Sequence, residues 1–134
     1  MAEREPRSVP TVLVADDDPD LVALMARRLA KAGYDLLTAR DGAEAAQLAA
    51  EHIPDVAVLD VMMPKLTGIE VAQGLKADPA TNHIGVVLVS AGFHDAVAGE
   101  GVFVDADDFV RKPFGPKDLP MAVGAVLDRA RPAA

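Results

Sequence analysis

The chain has 134 residues, 51% of them hydrophobic and 25% charged, a composition that suits one globular domain with a buried core rather than a disordered segment. A formal net charge of −8 repels nucleic-acid phosphates and argues against direct nucleic-acid binding. The lack of cysteine excludes disulfides, zinc thiolate sites and thiol catalysis, and with neither a signal-peptide pattern nor an apolar run of membrane-span length the expectation is a soluble, cytoplasmic protein with no membrane contact.

Residues 1–8 are polar and expected as a disordered tail, followed by one domain over residues 9–130 and a second tail at 131–134. The first apolar run, Val12-Leu13-Val14-Ala15, lacks alternation, as does a strand covered on both faces of a parallel sheet. A helix follows over Pro19–Ala32, with Asp18 as N-cap, Pro19 at the first position, Gly33 beyond the end, and Leu21, Leu24, Met25 and Leu29 on one face. Asp35–Ala39 is more mixed and reads as an edge strand, and Gly42–Glu51 is an alanine-rich helix. Val56-Ala57-Val58-Leu59 is a second buried strand, Thr67–Lys76 a helix, and Val86-Val87-Leu88-Val89 a third buried strand. A helix over His94–Val104 is expected to be weak, because Gly99 and Gly101 each cost about 1 kcal/mol against alanine. Asp108–Arg111 is a second edge strand, and a last helix runs from Lys117 to Ala130 with Pro120 tolerated near its start.

Alternating strands and helices predict an α/β fold with right-handed crossovers. Central first, third and fourth strands with the second and fifth at the edges give a five-stranded parallel sheet of order 2-1-3-4-5, a flavodoxin-like three-layer sandwich with five helices. Its switch point lies between the first and third strands, so a ligand belongs there, at the carboxyl ends.

Polar residues stand at four of those ends: Asp16-Asp17-Asp18 after the first strand, Asp60 after the third, Ser90 after the fourth and Lys112-Pro113 after the fifth. Any one alone has a bland reading: a turn carboxylate, a structural serine, a surface lysine, and for Asp18 a helix cap. Their joint placement is the signal. Asp16, Asp17 and Asp60 on neighbouring strands repel one another unless a cation relieves them, and carboxylate oxygens suit a hard divalent ion such as Mg²⁺. A divalent ion, a lysine and a hydroxyl around one carboxylate are the parts of a phosphoryl-transfer site, with the aspartate able to serve as nucleophile. His52, His83 and His94 lack ligand spacing and read as surface histidines.

The stretches Val12-Leu13-Val14-Ala15-Asp16-Asp17-Asp18-Pro19, Leu59-Asp60-Val61-Met62-Met63-Pro64, Ser90-Ala91 and Lys112-Pro113-Phe114 resemble the receiver domain of two-component response regulators, chemotaxis regulators among them, over about Val9 to Ala130. The resemblance implies that Asp60 accepts a phosphoryl group from a histidine kinase or histidine phosphotransfer protein. It also implies a Mg²⁺ ion held by Asp17 and Asp60 directly, by Asp16 chiefly through water, and by the Met62 backbone carbonyl. Lys112 would pair with the phosphoryl group, the bond before Pro113 would be cis, Ser90 would donate to a phosphoryl oxygen, and small Ala91 would leave access to the site. Phe109 matches an aromatic switch position, whose alternative is an ordinary edge-strand aromatic. An unknown downstream protein would read the face built from the His94–Val104 helix, the fifth strand and the last helix, and a weak homodimer is compatible with the same pattern. On this reading the chain is a phosphoacceptor and not an enzyme, beyond self-phosphorylation and slow autodephosphorylation.

Two departures stand out: Asp105-Ala106 replaces a common Gly-Ala pair, and glycines interrupt the His94–Val104 helix. The chain stops just after the last helix, as either a stand-alone regulator or a receiver taken from a longer protein would. A haloacid-dehalogenase-type phosphatase is the enzyme alternative, but Asp20 stands where its first motif needs Thr or Val. An unphosphorylated binding module would not need the acidic residues, Ser90 and Lys112 together. A flavodoxin-like FMN protein fails because the turn after the first strand is acidic rather than a phosphate cradle.

Overall fold

In the computed structural model of the chain, the described residues are 9–90 and 106–130. The two expected tails, Ala91 and the expected His94–Val104 helix lie outside them. The elements are β1 (Thr11–Ala15), α1 (Pro19–Lys31), β2 (Asp35–Ala39), α2 (Gly42–His52), β3 (Val56–Asp60), α3 (Gly68–Ala77), β4 (Gly85–Ser90), β5 (Asp108–Arg111) and α4 (Asp118–Ala130). All four strand pairings are parallel, in the order β2-β1-β3-β4-β5.

The apolar runs do not alternate because both faces of the central strands are covered. Leu13, Ala15, Ala57, Leu59, Val86 and Leu88 face the layer that holds Ala45, Ala49, Val71 and Leu75 of α2 and α3. Val12, Val14, Val56, Val58, Val87 and Val89 face Met25 and Leu29 of α1 and Leu119, Val123 and Val126 of α4. Burying one such side chain contributes roughly 1.5–3 kcal/mol, so β3 and β4, buried along their whole length, are firmly held beneath Asp60 and Ser90.

Local signals account for the helix ends. The Asp18 carboxylate accepts the amides of Asp20 and Leu21, Asp41 caps α2, and Thr67 with Glu70 forms a reciprocal capping box at α3. The expected apolar face of α1 shifts slightly. Val22, Met25 and Leu29 are its buried residues, while Leu21 and Leu24 are only half-buried.

Strand register sets the functional end. Ala15 is opposite Leu59, Asp60 is opposite Val89, and Ser90 is opposite Arg111. Asp16, Asp60, Ser90 and Lys112 therefore emerge as successive steps along one rim.

Candidate functional site

Asp60 is the last residue of β3 and only 4% exposed; Asp16, one residue past β1, is 1% exposed. Asp17 turns towards solvent, and one carboxylate oxygen from each of the three lies within 4.8 Å of the others. Lys112 reaches in from the end of β5, with its Nζ 2.8 Å from Asp60 Oδ1 and 3.2 Å from Asp16 Oδ2. The other Asp16 oxygen, Oδ1, accepts the Asp18 amide at 3.0 Å. Both oxygens of Asp16 are thus engaged, and its side chain is fixed from two sides.

Burial pushes the Asp60 carboxyl above its ordinary range; Asp16 and Asp17 add to the rise, and Lys112 opposes it. Burial likewise raises Asp16, against the Asp18 amide and Lys112. Burial pulls the Lys112 ammonium down, but Asp60 and Asp16 outweigh it and leave the group raised.

A carboxyl raised in the folded state binds protons more readily there than in the unfolded chain, so its stabilising contribution is present at low pH and is lost as pH rises through the folded value. The metal-free Asp60→Asn variant is expected to gain in stability relative to wild type as pH rises through the range in which the raised Asp60 carboxyl loses its proton. Urea midpoints measured in EDTA across that range check this; a constant difference contradicts it.

Ser90 closes β4, 3% exposed, and its carbonyl accepts the Lys112 amide at 3.2 Å. The Lys112-Pro113 peptide bond is cis. Met62 is 66% exposed, in the loop after β3. That loop is pinned on both sides, by the Gly68 amide on the Val61 carbonyl at 3.0 Å and the Gly42 amide on the Pro64 carbonyl at 3.2 Å. Phe109 lies on β5, 37% exposed, lining an open groove of about 540 Å³ together with Arg111, Asp118 and Met121.

The two described histidines are not part of this cluster: His52 ends α2, beside Glu51, and His83 lies in the turn before β4; His94 is outside the described residues. Sequence reasoning missed Gly68. A Cβ there would lie 2.3 Å from the Asp60 carbonyl oxygen, so α3 can approach β3 this closely only with glycine. The clue was a glycine in the first turn of a helix that already had a good cap.

The donor set fits magnesium. It is made of hard oxygens, and among the described residues Lys112 is the one cation ion-paired within a cluster of three carboxylates, which leaves an excess of negative charge there. Cation, carboxylate nucleophile and hydroxyl together can receive and neutralise a phosphoryl group.

Comparison with known proteins agrees with this architecture. The family model for the response regulator receiver domain matches residues 12–124. The chain is 40% identical over 123 residues to the alkaline phosphatase synthesis transcriptional regulatory protein PhoP of Bacillus subtilis, covering 92% of this chain and 50% of that protein. It is 43% identical over 122 residues to the transcriptional regulatory protein PrrA of Mycobacterium tuberculosis, covering 90% and 51%. The chain thus spans about half the length of the curated relatives it matches. Among solved structures, the Francisella response regulator 1452 receiver domain shares 33% identity at a TM-score of 0.80, covering 91% of this chain and 99% of that one. The chemotaxis response regulator CheY4 of Vibrio cholerae shares 29% at 0.81, covering 90% and 100%. With its sheet order and its rim of carboxylates and lysine in agreement, the chain belongs to the response regulator receiver domain family.

Proposed function

We propose that Asp60 is the phosphoacceptor, charged by a histidine kinase or histidine phosphotransfer protein, and that the added group switches a surface read by a downstream protein. The observation that carries this reading is the Lys112 ammonium bridging Asp60 and Asp16 inside the three-carboxylate cluster. An Asp60 carboxylate oxygen attacks phosphorus; the phosphorus–nitrogen bond to the donor imidazole breaks, and its electron pair stays on that nitrogen, which takes up a proton. A Mg²⁺ ion held by Asp16, Asp17, Asp60 and the Met62 carbonyl would neutralise the phosphoryl oxygens. Lys112 moves from a carboxylate partner to a phosphoryl oxygen, and the Ser90 hydroxyl donates to another.

Movement of Ser90 would be felt by Phe109, because β4 and β5 are paired from Val87–Asp108 through Ser90–Arg111. Phe109 is 37% exposed, and a further inward turn would reshape the face made by β5 and α4. The domain works as a cytoplasmic switch rather than an enzyme. Similarity to transcriptional regulators supports a target in transcription, while the net charge of −8 argues against this domain itself holding DNA.

Incubation of the wild-type chain with Mg²⁺ and acetyl phosphate is expected to add one base-labile phosphoryl group, read by intact mass. No adduct on wild type, or turnover of free phosphate esters at enzyme-like rates, counts against the proposal. Lys112→Ala is expected to bind Mg²⁺ at least as tightly, having lost a competing cation, yet to lose most of the conformational response. Equal NMR shift changes around Phe109 in the variant and wild type would contradict the role given to Lys112.

A further inference from the structure

Lys112 is held at the rim by more than its ion pairs. Its loop, residues 112–117, is anchored on one side to α4: the Gly115 amide donates to Asp118 Oδ2 at 2.7 Å, and the Gly115 carbonyl accepts the Asp118 amide at 3.2 Å. The other side is anchored to α1. Arg28 Nη1 donates to the same Gly115 carbonyl at 3.3 Å, and the guanidinium carbon lies 5.8 Å from the centre of the Phe114 ring. Phe114 in turn packs on the apolar layer that contains Met25 and Leu29.

A basic residue in the last turn of a helix has a plain role, offsetting the helix dipole, and exposed Lys31 fits it. Arg28 differs. It is half-buried, and its fork is directed at a carbonyl 87 residues away and at an aromatic face. The same helix begins at the opposite wall of the pocket, where Asp18 caps it and donates its amide to Asp16. Between Asp18 and Arg28 α1 is a rigid strut of roughly 15 Å, joining the acidic loop to the lysine loop.

We infer that Arg28 is a positioning residue for Lys112, holding the Phe114–Gly115 turn so that the ammonium stays on Asp60; this rests on the reading of Asp60 as phosphoacceptor. Lysine has a long flexible stem, so the place where its ammonium comes to rest depends on how firmly the root of the stem is held. Arginine suits the task because one plane can both donate to a carbonyl and cover a ring. A lysine at position 28 can donate to the carbonyl but cannot stack in the same way.

The test uses Arg28→Met and Arg28→Lys in the full chain, each alone and combined with Lys112→Ala. With Mg²⁺ and acetyl phosphate, Arg28→Met is expected to slow phosphorylation about 5- to 10-fold, as small displacements of a positioned group do. Mg²⁺ affinity, titrated by NMR, should stay within about 2-fold, because no Mg²⁺ ligand is touched. Arg28→Lys should recover part of the rate, and in the Lys112→Ala background Arg28→Met should cause no further slowing. Equal slowing in both backgrounds overturns the inference, since the effect would then bypass Lys112. A second readout needs no phosphorylation: hydrogen exchange of the Lys112 ammonium in metal-free protein. It is expected to quicken in Arg28→Met, and unchanged exchange overturns the positioning role whatever the phosphodonor does. A wild type that takes no phosphoryl group defeats the reading of Asp60 instead, and leaves the exchange measurement to decide on Arg28.

Discussion

Asp60→Asn is expected to abolish phosphorylation by acetyl phosphate and Mg²⁺, with a rate loss of at least about 10³-fold, while the domain stays folded. An amide oxygen has neither the charge nor the free electron density of a carboxylate, so the attacking group is lost outright. Neither of the other described rim carboxylates is placed to replace it: Asp16 has both oxygens engaged, by Lys112 and the Asp18 amide, and Asp17 lies out towards solvent. The fold should survive because the substitution preserves shape and removes one member of a crowd of like charges, the same crowd that raises the Asp60 carboxyl. Intact-mass measurement on wild type and variant side by side gives the answer. An equal adduct on Asp60→Asn would place the chemistry on another residue.

Gly68→Ala is the second large effect, expected to cost about 2–3 kcal/mol of stability and to weaken both Mg²⁺ binding and phosphorylation. The new methyl group would lie 2.3 Å from the Asp60 carbonyl oxygen, 2.9 Å from its carbonyl carbon and 3.1 Å from the Val61 Cα, all of them backbone atoms that cannot rotate away. Relief requires α3 to back off from β3. That movement breaks the 3.0 Å bond from the Gly68 amide to the Val61 carbonyl and shifts the loop that carries Met62. Gly74→Ala is the control on the same helix: nothing lies within 4 Å of its Cβ, so only the helix propensity gain of about 1 kcal/mol remains. Urea unfolding of both variants, with Mg²⁺ titrations, checks the pair. A Gly68→Ala protein as stable as wild type would show that the close approach of α3 is not required.

The amino-acid sequence by itself determined the layers and the list of rim residues, because these depend on short-range chemistry. Runs such as Val56–Leu59 have no polar face, which forces cover on both sides, and Asp18-Pro19 starts a helix wherever the chain goes next. Carboxylates, serine and lysine could be placed at one rim because parallel strands put all their carboxyl ends on the same side. What those groups do to one another was decided only by the tertiary structure. Lys112 contacts Asp16 and Asp60 at once, Arg28 meets Gly115 across 87 residues, Phe109 is left partly exposed, and Gly68 lies against the Asp60 backbone. Such distances depend on how far each strand protrudes and how closely each helix settles on the sheet. These follow from the packing of the whole core rather than from any residue's neighbours in the chain.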